Sequence, residues 1–302
     1  MPSLLPIALL VLGGLAALSP LLVRRLGPRA AYVSSAVFGV LAVAFTVAGS
    51  DTLSGDAPRF TYDWLPALGV RISLVLDGLA LLFSLLILVV GALVLAYSAR
   101  YFSDASPSVS SIYTWLTLFA ASMLGLVLAG DAILLFVFWE MTTISSFFLI
   151  GGRGGDNRAP ATRALLVTGI GSLALLLSLV LMASIAGDFT IQSILANRDG
   201  IAESSIAPLI FAGLLLGAFT KSAQVPFHFW LPGAMVAPTP ISTYLHAATM
   251  VKAGIYLVAR FTPLLAGTEW RNVVIVFGVA TAFYGAAIAL KQHDLKSLLA
   301  YS

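Results

Sequence analysis

The sequence predicts an all-α, polytopic bundle of membrane helices, about nine complete crossings plus the start of a tenth, and three observations carry that reading. Apolar residues fill 60% of the 302 positions and charged residues only 10%, against roughly 25% charged in an average soluble protein. A soluble fold of this size needs more Lys, Arg, Asp and Glu to cover its surface, so the solvent is lipid. The apolar residues also fall into nearly charge-free runs close to the ~20 residues that one helical crossing requires. Cysteine is absent, which excludes disulfides, thiolate metal sites and iron–sulfur clusters and speaks against electron transfer by these residues.

In chain order, the runs between charges and Gly/Pro punctuation are 4–22, 30–49, 72–97, 112–129, 132–150, 164–186, 206–224, 240–259 and 272–290. No basic residue precedes the first, and Arg24 and Arg25 follow it, the reverse of a signal peptide, so it reads as a retained helix with its N-terminus outside. In the irregular stretch 187–205, Phe189, Ile191, Ile194 and Leu195 form one apolar face of a short helix lying at the membrane interface. The loops after odd-numbered spans hold nine basic residues, Arg24, Arg25, Arg29, Arg100, Arg153, Arg158, Arg163, Lys291 and Lys296. The opposite loops hold five, Arg59, Arg71, Arg198, Arg260 and Arg271, with acids such as Asp51, Asp56, Asp63 and Asp188. The positive-inside rule makes the first side cytoplasmic, which explains the net charge of +3 without a nucleic-acid partner.

Three ionisable residues sit inside apolar runs: Glu140, Lys221 and Lys252. Each costs about 2.5–3.5 kcal/mol if it faces lipid at a helix centre, so the three should face one another or water, and a functional role is the default. The bland alternative is a static ion pair of Glu140 with one lysine, which leaves the second lysine unexplained. Pro226 cannot donate to the carbonyl of Ser222 and so breaks the seventh helix just past Lys221. Such breaks survive only inside protein or beside a wet cavity, where a partly desolvated lysine is suited to carrying a proton.

On an α-helical wheel, Ser242, His246, Thr249, Lys252, Ala253 and Tyr256 share a polar seam about 120° wide on the eighth span. His246 is a proton-transfer candidate on that seam or, alternatively, a hydrogen-bonded structural histidine. His228 follows Pro226 among Phe227, Phe229 and Trp230 and reads as an interface residue; Asp77 and Asp131 lie near outer helix ends, as entrance carboxylates or solvated caps. The string Gly217-Ala-Phe-Thr-Lys221-Ser222 lacks the glycine a phosphate loop has before its lysine, and Gly151–Gly155 lacks dinucleotide spacing. With no cluster of metal ligands either, neither cofactor nor metal is expected.

The run GAFTKSAQVPFHFWLPGAMVAPTPISTYLHAATMVKAGIYLVARF at 217–261, with FVFWEMTTISSFFLIG at 136–151 and DLKSLLAYS at 294–302, resembles the antiporter-like subunits of respiratory complex I, membrane-bound hydrogenases and Mrp-type cation/proton antiporters. The string LVTGIGSLALLL at 166–177 and the run at 77–102 are most similar to the A-type subunits of the Mrp antiporters. The resemblance implies a proton path through Glu140, Lys221, His246 and Lys252, with Lys296 matching the lysine of the DLK motif. It further implies sodium as the exchanged cation and other subunits of a cell-membrane complex as partners, in a secondary transporter rather than an enzyme. A proton-pumping subunit of an NADH:quinone oxidoreductase or hydrogenase is the near alternative, and a non-transporting scaffold the distant one. Members carry two inverted five-helix repeats after an N-terminal segment, which gives expected divisions of 1–103, 104–261 and 262–302, the last being an incomplete second repeat. The chain reaches Ser302 without a second broken helix, so a fragment, a truncated product or one piece of a split subunit is expected.

Overall fold

A computed structural model describes residues 3–53, 57–65, 70–103, 106–152 and 154–302; Asp56 and Arg153 lie outside them. The first two spans form α1 (Leu4–Leu26) and α2 (Ala30–Leu53), separated by a 3-10 turn at Gly27–Arg29. Gly27 holds φ 62° there, a conformation open to a residue without a Cβ. An antiparallel hairpin, β1 (Arg59–Leu65) with β2 (Val70–Val75), leads into α3 (Gly78–Tyr101), α4 (Pro107–Leu128), α5 (Ala132–Gly151) and α6 (Arg158–Ala186). Short helices α7 (Ile191–Ala196) and α8 (Arg198–Glu203) connect to α9 (Ala207–Lys221). Beyond it come α10 (Trp230–Ala234), α11 (Thr239–Ser242), a π-helical turn at Thr243–Thr249, α12 (Met250–Arg260), α13 (Thr262–Leu265), α14 (Trp270–Ala289) and α15 (Leu295–Tyr301).

Among the described residues, six helical stretches are long and apolar enough to cross a membrane: Leu4–Ser50, Gly78–Tyr101, Ser108–Leu128, Ala132–Gly151, Gly155–Ala186 and Trp270–Ala289. Helix α9 is apolar but has 15 residues, about 22 Å at 1.5 Å each, short of the ~30 Å hydrocarbon core. Large apolar side chains such as Leu10, Val40, Leu93, Ile170 and Phe283 are exposed on the outer helix faces, as lipid-facing residues must be.

Helix α2 packs on α3, α1 on α4, α5 between α4 and α6, and α9 between α6 and α12. Small residues set the closeness of α9. A Cβ at Gly213 would lie 2.7 Å from the Ala174 carbonyl and one at Gly217 2.8 Å from the Leu175 Cβ, while one at Gly254 would collide with the Ala218 carbonyl. The Gly213–Gly217 spacing is the small-xxx-small pattern that lets membrane helices approach backbone to backbone.

The structure corrects the sequence reading in three places. The fold is not purely helical: the third apolar run does not begin a helix at 72, because residues 70–75 pair with 59–65 and Asp77 caps α3 through its carboxylate and the Ala80 amide at 2.9 Å. The apolar face at 187–205 does not lie on lipid, since Ile191 and Ile194 are buried in the protein core. Backbone bonds hold that segment, Ala132 N–H to Phe189 O and Ile191 N–H to Gly130 O, at 2.8 and 2.9 Å. Thirdly, the eighth span is not one uninterrupted α-helix. The π turn gives i→i−5 spacing, as in the bond from the Met250 amide to the Leu245 carbonyl, and so shifts the phase between His246 and Lys252.

The connections gather at two ends. At one end Arg59 bonds Gln192, Gly130 bonds Ser73, and Arg260 meets Asp77; at the other Tyr113 reaches the Pro28 carbonyl and Lys296 reaches Met235 and Ala237.

Candidate functional site

Helix α9 stops at Lys221, five residues before Pro226, so the proline is not what ends it. Ala223 takes φ 53°; the Gln224 amide donates to Phe219 O at 2.9 Å and the Ala223 amide to Thr220 O at 3.4 Å. This is the Schellman closure, normally made around glycine, here with an alanine in the left-handed position. The Trp230 indole N–H adds a 2.9 Å bond to the Thr220 carbonyl. A helix end that would otherwise leave bare carbonyls in an apolar interior is thereby satisfied, and a cation sits on its last residue, where the helix dipole favours one.

Lys221 is fully buried. Its ammonium donates to the Thr143 hydroxyl at 2.7 Å and the Trp139 carbonyl at 3.2 Å, and lies 5.0 Å from the centre of the Trp139 ring. Both oxygens and the ring belong to α5. Glu140 is the residue after Trp139 on that helix. Among the described residues the ion pairs within 4.0 Å are Arg71–Asp63, Arg198–Asp199 and Arg260–Asp77; Glu140 and Lys221 do not form one. Glu140 Oε1 is buried without a hydrogen-bond partner.

Beyond Lys221 a cavity of about 280 Å³ opens, lined by Ser222, Gln224, His228, His246, Lys252 and Tyr284 among others. Both ring nitrogens of His246, Nδ1 of His228 and Oε1 of Gln224 are buried without a hydrogen-bond partner. His246 lies against Trp230, ring centres 6.0 Å apart. Thus His246 and Lys252 line one space, which begins at Ser222, the residue after Lys221, while the Lys221 ammonium itself points to α5. His228 lines this cavity and packs edge-on against Tyr284 at 4.7 Å. Lys296 binds the cavity wall, donating to Ala237 O at 2.8 Å and Met235 O at 3.2 Å, and Thr281 of α14 accepts the Val225 amide at 3.0 Å.

Asp77 and Asp131 stand apart from this group. Both are helix caps, Asp131 buried and Asp77 with about a third of its side chain exposed. Asp77 caps α3 and is gripped by both terminal nitrogens of Arg260, which also donates to the Tyr256 hydroxyl. Against the cost of burial, the Arg260 hydrogen bond and charge hold this carboxyl below the usual carboxylate range. Asp131 is fully buried and caps α5 through the amides of Ile133 and Leu134 at 2.8 and 3.2 Å; burial pushes its carboxyl up. Sequence reasoning missed Thr143, Trp139 and Gln224 as site residues. For Thr143 and Trp139 a signal existed: they lie one turn after and one residue before Glu140.

Comparison with known proteins decides the family. The profile described as NADH:quinone oxidoreductase/Mrp antiporter, TM, matches residues 129–302, more than half the chain and the whole of the site above. The chain belongs to this family. A second profile, NADH-Ubiquinone oxidoreductase (complex I), chain 5 N-terminus, matches residues 64–110, which include β2 and α3. The chain is 47% identical over 252 residues to a probable K(+)/H(+) antiporter protein of the A/B type from Rhizobium meliloti, covering 82% of this chain and 25% of that protein. It is 44% identical over 266 residues to the A-type Na(+)/H(+) antiporter subunit of Alkalihalophilus pseudofirmus, covering 87% and 33%. It superimposes on a chain of the Mrp complex from Dietzia sp. DQ12-45-1b with TM-score 0.92 and 45% identity, over 98% of this chain and 32% of that one. The chain therefore spans about a third or less of the length of these relatives. Its membrane-embedded, many-span architecture is the family's.

Proposed function

We propose that the chain is a proton-translocating part of the large subunit of a multi-subunit monovalent cation/proton antiporter. The observation that carries this reading is the fully buried Lys221, held by neutral oxygens beside Glu140 and next to a cavity containing His246 and Lys252. A charge buried on this scale needs partners or a function. A lysine that leaves its carboxylate out of bonding range, one residue before a cavity lined by His246 and Lys252, is arranged to exchange a proton. Glu140 and Lys221 form an electrostatic switch: at 4 Å and an effective dielectric near 20 their contact is worth about 4 kcal/mol, enough to hold the proton on Lys221 when closed and release it towards His246 and Lys252 when open. His228 and Lys296 are accessory, through the cavity and its wall; Asp77 and Asp131 serve the fold.

In this reading α9 and α10 are the halves of one broken seventh span in a nine-span chain, the divisions 1–103, 104–261 and 262–302 stand, and partners are the other subunits of a cell-membrane complex. The N-terminus is outside, and the end bearing Arg24, Arg100 and Lys296 is cytoplasmic by its basic excess. Sodium is the cation we favour, supported by the name of the Alkalihalophilus relative. In everted vesicles carrying the complete complex, Glu140→Ala and Lys221→Ala should abolish cation-driven proton movement, read with a pH-sensitive dye, while assembly persists; wild-type exchange in either overturns the switch. A second reading, a pump subunit driven by quinone reduction, is favoured by the profile matching residues 64–110. Neighbouring genes for cysteine-rich redox subunits, rather than small antiporter subunits, would support it.

A further inference from the structure

We infer that Thr143 is a positioning residue for proton transfer: its hydroxyl supplies a neutral resting place for the Lys221 ammonium, out of ion-pair contact with Glu140. This rests on the proposed proton-carrying role of Lys221. The argument begins with donor counting. An ammonium has three N–H donors, and Lys221 uses two, on Thr143 Oγ1 at 2.7 Å and Trp139 O at 3.2 Å.

The two acceptors are unequal. The Trp139 carbonyl, already the helical acceptor of the Thr143 amide, also accepts from the Thr142 hydroxyl at 2.7 Å and the Thr143 hydroxyl at 3.2 Å, so Lys221 shares it with three other donors. The Thr143 oxygen donates once, to Trp139, and keeps its lone pairs for Lys221. Its bond is also the shorter one. Donating to the carbonyl four residues back is what a helical threonine does by default, so the rotamer that aims Oγ1 at Lys221 is set by the helix itself.

Glu140 and Thr143 are three residues apart on α5 and so lie on one face, a turn from each other. An ammonium leaving Thr143 for Glu140 moves along a single helix turn with the Trp139 ring beneath it, 5.0 Å from Nζ in the resting position. The cradle thereby gives the switch its open position. Without Thr143 the ammonium loses its shorter bond in a dry interior and closes on Glu140, where the proton stays. The expected lesion is slow turnover, with cation affinity untouched because no cation is handled at this point.

The test is antiport by the complete complex in everted vesicles, comparing Thr143→Val, which keeps the shape and removes the hydroxyl, with Thr143→Ser, which keeps the hydroxyl and removes the methyl. Loss of one hydrogen bond to a charged group corresponds to about a 10-fold fall or more in rate. Thr143→Val should lower maximal exchange by about that much with the half-saturating cation concentration unchanged, and Thr143→Ser should restore most of it. In a Glu140→Gln background, Thr143→Val should add nothing. Wild-type turnover in Thr143→Val, or equal damage from Val and Ser, overturns the inference. If Thr143→Val does not assemble, Thr143→Ala, with Thr143→Ser as its control, carries the same two readings. Lys221→Met separates the levels: full exchange in that variant removes the proton-carrier reading itself, whereas loss there beside normal Thr143→Val removes only the cradle.

Discussion

Two cations in this chain, one fully buried and one partly buried, are treated in opposite ways. Arg260, at the hairpin end, is locked: its guanidinium grips both oxygens of Asp77 and reaches the Tyr256 hydroxyl, which in turn donates to Val127 O at 2.8 Å. Lys221, where α5, α6, α9 and α12 meet, has no carboxylate in contact, two neutral oxygens, and a cavity beside it with orphaned imidazole nitrogens. A fork-to-carboxylate pair spends its geometry on holding one arrangement. A single ammonium on neutral acceptors has somewhere better to go. In the proposed reading the difference separates a clamp from a carrier, though sequence counts both simply as basic residues.

The comparison breaks most sharply if the cavity is inert. His246→Ala and Lys252→Met should each cut exchange by about 10-fold or more, since a relay group typically contributes a hundredfold or so, and the double variant should be no worse than the more damaged single one if both serve one path. A scaffold whose charges only dock helices would tolerate Lys252→Met. Next in size is the clamp. Asp77→Asn keeps an N-cap side chain and removes the ion pair, whose side chains are 14% and 33% exposed. The purified complex should lose about 1–3 kcal/mol of stability, seen as a lower melting temperature, with exchange per assembled complex retained.

The smallest effect is the pH limb of that clamp. Because the folded state holds the Asp77 carboxyl below its usual value, the stabilisation is complete above about pH 4, the unfolded value, and is lost as pH falls through the folded one. Melting temperature should therefore fall on the acid side in the wild type and fall less steeply in Asp77→Asn. An unchanged acid limb would mean that Arg260 and Asp77 are not coupled in the folded protein.

The unequal treatment of the two cations also marks how far the sequence could be read. Apolar runs locate the long helices because burial in lipid imposes a length, and Glu140, Lys221 and Lys252 stand out because each violates that composition. Local pattern stops there. Asp77 and Arg260 are 183 positions apart, and nothing near either announces the other. The hairpin alternates, as in Val70-Arg-Ile-Ser-Leu-Val75, but its second strand runs into an apolar helix and was absorbed by it. The end of α9 was hidden because the Schellman position holds Ala223 instead of glycine, and Pro226, the visible signal, lies downstream of the turn it was expected to cause. A regular helical wheel carries no mark of a π turn, so His246 and Lys252 were placed on one seam by a phase that the Thr243–Thr249 segment alters. That they still share a cavity follows from the packing around α12.

The central claim, that Lys221 is a carrier and Arg260 a clamp, is tested most directly by one paired measurement: exchange rate per assembled complex for Lys221→Met and Arg260→Met in the same vesicle preparation. The account expects Lys221→Met to assemble at wild-type level and transport nothing, and Arg260→Met to assemble poorly while each surviving complex turns over normally. Normal exchange through Lys221→Met, or failed assembly there beside lost turnover in Arg260→Met, would contradict it.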